Sequence, residues 1–120
     1  MQRVWIGLGS LAGLLAVAVA ALAAHGLAAL DPQALQMVRD ADQMQGWHAI
    51  ALLACGLWVP RGGRLVHVAG TAFLLGLILF CGAVYALALG DVRLPLLAPA
   101  GGTLLVLGWL LLGLSALRAR

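Results

Sequence analysis

The chain has 120 residues, of which 64% are hydrophobic and 9% charged, with a mean hydropathy of +1.08. A soluble domain carries about a quarter charged residues, so a water-soluble enzyme, a nucleic-acid binder and a disordered tail are all excluded. The net charge of +3 comes from seven arginines and four aspartates spread along the chain, too few for a polyanion site, and what remains is an integral membrane protein.

Val4–Leu30 holds 27 residues without a formal charge. That exceeds the ~20 needed to cross a ~30 Å hydrocarbon core and predicts a first helix over about 4–30. Arg3 followed by an apolar run also opens a secretory signal, with small-x-small sites at Ala18-Val19-Ala20 and Ala21-Leu22-Ala23. A signal's apolar stretch is ~7–15 residues, about half of this one, so a retained helix is expected. Gly9 and Gly13 form a GxxxG pair continued by Ala12, Ala16, Ala20 and Ala24, a surface suited to close helix packing. Near its far end stands His25.

The second charge-free run, Gln43–Pro60, has only 18 residues and contains Gln43, Gln45 and His48. Upstream, Asp31-Pro32 is a start signal: Asp caps, and Pro lacks the amide that the first turn leaves unbonded anyway. Leu35, Val38, Ala41 and then Gln45 and His48 follow at helical spacing, predicting one helix over 32–59 with an amphipathic first half. An interfacial helix bent near Gly46 is the alternative.

Leu65–Gly90 and Leu94–Leu117 are charge-free for 26 and 24 residues and predict helices over 65–90 and 96–117. In the third, Gly82 with Ala86 and Ala72 with Gly76 are packing candidates; in the fourth, Gly101 and Gly102 follow Pro99. Cys55 and Cys81 lie in apolar runs and read as inert fillers rather than a disulfide or zinc pair. Trp5, Trp47, Trp58 and Trp109 fall toward span ends and read as interfacial anchors, as does His67.

The fold class is therefore all-α, an integral membrane four-helix bundle in one domain. Four spans put Arg3, Arg61, Arg64, Arg118 and Arg120 on one side and Arg39, Arg93 and all four aspartates on the other. Five against two predicts both termini in the cytoplasm.

An ionisable group inside a span is a functional hypothesis. If the first two helices form an antiparallel hairpin, His25 and His48 lie at comparable depth, with Gln45 and, from the third helix, Tyr85 in reach. This cluster of His25, Gln45, His48 and Tyr85 reads either as a metal, proton or haem site or, more simply, as hydrogen bonding that fixes the packing. Further zinc ligands are lacking, since Asp31, Asp40 and Asp42 fall on an exposed segment. No nucleophile–base pair, phosphate loop or paired carboxylate is present, so neither an enzyme nor a bound metal or cofactor is expected.

Ala24-His25-Gly26-Leu27, Gln45-Gly46-Trp47-His48-Ala49, Phe80-Cys81-Gly82-Ala83-Val84-Tyr85, and Pro99-Ala100-Gly101-Gly102 with Gly108-Trp109 occur in that order. In these blocks, over about residues 8–117, the chain resembles the YgdD-like family of small bacterial membrane proteins, domain of unknown function 423. The resemblance implies a four-helix inner-membrane protein of no established activity and supplies no catalytic residues. Two positions depart from the family pattern: Gln43-Met44 stand where Arg-Tyr is common, and Cys81 replaces a common Ser.

Three functions compete. The favoured one is a structural or accessory membrane component, in contact with the bilayer and with copies of itself or a larger membrane complex. The others are an oligomeric transporter or channel for a small solute, and a subunit using His25 and His48 to hold a cofactor.

Overall fold

The computed structural model describes residues 1–27 and 29–119, and among these the chain forms four helices and no strand. α1 runs over Gln2–His25, α2 over Pro32–Gly62, α3 over Arg64–Gly90 and α4 over Leu97–Arg118. α1, α3 and α4 are each long and apolar enough to cross a membrane. α2 is the polar member of the set, yet it is continuous through Gly46, so its first half extends the helix rather than bending away.

The helix ends follow from local chemistry. α1 stops at His25, five residues short of the predicted end, where the Gly26 amide closes on the Leu22 carbonyl at 2.7 Å. Reversal into α2 needs the residues after Gly26, and Ala28 lies outside the described residues. The Asp31 carboxylate accepts the Ala34 amide at 2.7 Å, with Pro32 in the first turn, the start the sequence predicts. α2 runs three residues past the predicted Trp58–Val59 end and carries Pro60 within its last turns. One residue, Gly63, then separates it from α3, at φ 63° and ψ −145°, a conformation in which a β-carbon is strained. α3 ends on Asp91, the only non-glycine with positive φ among the described residues, in the left-handed region that Asp tolerates.

α1 packs along α2, α2 along α3 and α3 along α4, while α2 and α4 only brush each other. The result is a flattened open bundle of 52 × 27 × 18 Å with α1 and α4 on its flanks. Glycines set the close approaches. A β-carbon at Gly9 would lie 2.8 Å from the Ala49 carbonyl oxygen on α2, and one at Gly76 2.8 Å from the Gly101 carbonyl oxygen on α4. One at Gly101 would strike the Phe80 backbone nitrogen, and one at Gly108 would lie 2.6 Å from the Phe73 ring. Gly82 departs from expectation. It faces outward with nothing near it, because the turn of α3 that turns Cys81 and Ala83 inward swings the residue between them to lipid. Gly13 and Gly102 make only ordinary contacts, at 3.8 Å to Ala49 and 3.9 Å to Phe80.

The buried centre combines Leu52, Cys55, Val66, Phe73 and Leu105 with many alanines, while Leu14, Val17, Ile50, Leu57 and Leu110 face outward. Large apolar side chains outside and small ones inside is the distribution that lipid rather than water favours.

Candidate functional site: a hydrogen-bonded polar core

Of the four polar residues singled out from sequence, Gln45 and His48 are buried and Tyr85 is half-buried. Gln45, on the α2 face between α1 and α3, is 7% exposed. Its amide nitrogen donates to the Ala12 carbonyl of α1 at 3.0 Å, and its amide oxygen accepts the Tyr85 hydroxyl of α3 at 2.9 Å. One side chain thus ties three helices.

His48 lies three residues further along α2 and is 2% exposed. Its Nδ1 is 2.7 Å from the Met44 carbonyl oxygen, which can only accept, so Nδ1 carries the proton. Nε2 is then an acceptor, and it receives the indole N–H of Trp109 from α4 at 3.1 Å. The indole can only donate, so both contacts demand the same neutral tautomer. Phe73 closes the arrangement, with its ring centre 5.7 Å from His48 and 5.1 Å from Trp109 in an edge-on pair. A metal or haem iron at His48 would have to displace the tryptophan.

His25 is not part of this core. It is exposed at the end of α1, and the expectation of two imidazoles at one depth is corrected. α2 turns back immediately after α1, so the start of α2 lies level with His25. Gln45 instead meets Ala12, thirteen residues before His25 or roughly 20 Å along the axis at 1.5 Å per residue.

Trp5, Trp58 and Trp109 carry more than the anchoring role expected of them, while Trp47 is exposed. Trp5 is 4% exposed and donates to Nδ1 of His67 on α3 at 2.9 Å, so His67 is an interhelical partner and not only an interfacial side chain. Trp58 donates to the Ser115 hydroxyl of α4 at 3.1 Å, and that hydroxyl passes its own proton to the Leu112 carbonyl at 2.6 Å. The sequence held one clue to these pairs. A buried indole needs an acceptor, and from residue 46 to the C-terminus the chain offers few side chains that can serve: His48, His67, Thr71, Tyr85, Asp91, Thr103 and Ser115. Cys81 adds a weak bond to the Ala41 carbonyl at 3.3 Å.

Asp42 also differs from the expectation of an exposed acid. It is half-buried, and its Oδ1 is enclosed without a hydrogen-bond partner. Among the described residues, no group of three or more His, Cys, Asp or Glu side chains is arranged to hold a metal. A cleft of about 470 Å³ opens at the far end from the termini, with Asp31, Asp91 and Arg93 at its rim and Val84, Leu87 and Leu94 in its wall. Gln45, Tyr85 and His48 do not line it.

Apolar helices turned outward around a core of interhelical hydrogen bonds define an integral membrane protein of the small helical-bundle class. The family model "Protein of unknown function (DUF423)" matches residues 19–102, and the chain belongs to that family. It is 33% identical to a UPF0382 membrane protein of Haemophilus influenzae over all of this chain and 98% of that one. It is 36% identical to one from Staphylococcus epidermidis over 98% of each. The UPF0382 inner membrane protein YgdD of Escherichia coli is 28% identical, over 99% of this chain and 93% of its own. No solved structure matches the chain.

Proposed function

We propose that the protein is a structural or accessory component of the bacterial inner membrane, acting through helix packing rather than through turnover of a substrate. Its long α2 is read as a fourth span held between α1 and α3, with both termini cytoplasmic. The inner membrane is suggested by the name of the Escherichia coli relative, and the orientation by the five-to-two arginine bias.

The observation that carries this reading is the closure of the polar interior on itself. Gln45, Tyr85, His48, Trp109, Trp58 and Ser115 are bonded to one another or to backbone. Such a core holds helices in register, and among the described residues the one enclosed side-chain polar atom left without a partner is Oδ1 of Asp42. The outer surface of α1 offers most of its length for assembly, since only Trp5, Gly9, Ala16 and Ala23 of that helix are buried.

Cross-linking in intact membranes tests this, with a photoreactive residue placed at Leu14 or Val17 on the α1 flank. A discrete adduct, with the same chain or with one reproducible partner, is expected. A chain that stays at 12.4 kDa from every flank position overturns the proposal.

A further inference from the structure

α2 and α4 touch only lightly, and the seam between them is a groove of about 590 Å³ facing the membrane. Leu57 and Trp58 line it from α2, and Trp109, Leu112, Gly113 and Ala116 line it from α4. A β-carbon at Gly113 would meet nothing within 4 Å, so the groove is open there by virtue of its sequence.

One end of the groove is charged. The Trp58–Ser115 hydrogen bond fixes the register of the two helices. Arg61 stands three residues beyond Trp58, and Arg118 three residues beyond Ser115, so each guanidinium is carried one turn further toward the same end of the bundle. Both arginines are exposed. No described acid neutralises them, because Asp31, Asp40, Asp42 and Asp91 all belong to the opposite end.

We infer that this groove holds an anionic phospholipid, an acyl chain lying between Trp58 and Trp109 and the phosphodiester resting on Arg61 and Arg118. The planar guanidinium suits the phosphate oxygens, and the apolar groove gives the chain contacts that the light α2–α4 packing leaves unmade. The site does not depend on which way the protein is oriented or on what it assembles with.

Native mass spectrometry of the full chain, stripped of lipid in mild detergent, tests it. The protein is titrated with phosphatidylglycerol or with phosphatidylcholine of the same acyl chains. The wild type is expected to retain one phosphatidylglycerol on the order of tenfold better than phosphatidylcholine. The R61Q/R118Q double variant should lose that preference, whereas R93Q, which removes a charge at the other end, should keep it. G113L fills the groove and should weaken binding of both lipids. Because the arginines are exposed, the double variant tests the site even if G113L folds poorly. Equal retention of the two lipids by the wild type, or an undiminished preference in R61Q/R118Q, overturns the inference. So does a doubled mass that excludes lipid and that G113L abolishes, which would make a second copy of the chain the occupant.

Discussion

The imidazole of His48 shows how little freedom the polar core has. Both ring nitrogens are engaged in one tautomer, and Trp109 has no other described acceptor. Trp109→Phe removes the indole donor and part of the ring that packs on Phe73, strands Nε2 of His48, and should lower stability by about 1–3 kcal/mol, measured by denaturant titration in mixed micelles. His48→Ala leaves the indole unpaired beside a void and should cost about 2–4 kcal/mol. In the double variant the two effects should fall short of additivity, because each substitution breaks the same bond. A parallel asymmetry is expected at Gln45. Tyr85→Phe strands the Gln45 amide oxygen and should cost about 1–2 kcal/mol, and it should cost less in a Gln45→Leu background, where no stranded acceptor remains. Sequence reading found Gln45, His48 and Tyr85 because polar residues stand out in apolar runs. It placed His25 with them although the predicted spans over 4–30 and 32–59 already set His25 near the turn and His48 about midway along the second helix, a difference in depth that reading both as lying near outer ends overlooked. The tryptophan partners escaped because an indole near a span end reads as an anchor until its neighbour on another helix is known.

At the scale of the helix, start signals were easier to read than rotation. The Asp31-Pro32 start of α2 was legible because a cap is a local arrangement of side chain and backbone. The facing of the glycines was not, because it depends on how each helix is turned by its neighbours. Gly82 and Gly101 make the contrast testable. Gly101→Leu would drive a side chain into the α3 backbone at Phe80 and Gly76 and should cost about 3 kcal/mol or more, seen as loss of folded protein on size exclusion. Gly82→Leu projects into lipid and should change stability by no more than about 0.5 kcal/mol. Gly63 marks a third kind of glycine, one required by backbone conformation. Gly63→Ala keeps all packing yet should lose about 1 kcal/mol or more, because the single-residue joint between α2 and α3 holds φ at 63°.

Across the whole molecule the charges are sorted more strictly than the apolar surface. Arg3, Arg61, Arg64 and Arg118 mark the end where α1 begins, α2 passes to α3 and α4 finishes, while Asp31 and Asp91 flank the opposite turns. Short loops make each arginine count toward orientation, because the positive-inside bias acts within about 15–20 residues of a span. Together with Arg120 the proposed cytoplasmic side carries five arginines against two. Arg61→Gln with Arg64→Gln leaves three against two, a margin too small to hold a single topology. In the wild type, a fluorescent protein fused after Arg120 should be bright, and a fused alkaline phosphatase inactive. In the double variant both reporters should become active in part of the population. Phosphatase activity from the wild-type fusion would reverse the proposed orientation, and a double variant as uniform as the wild type would show that the first helix, with Arg3 alone at its start, directs insertion.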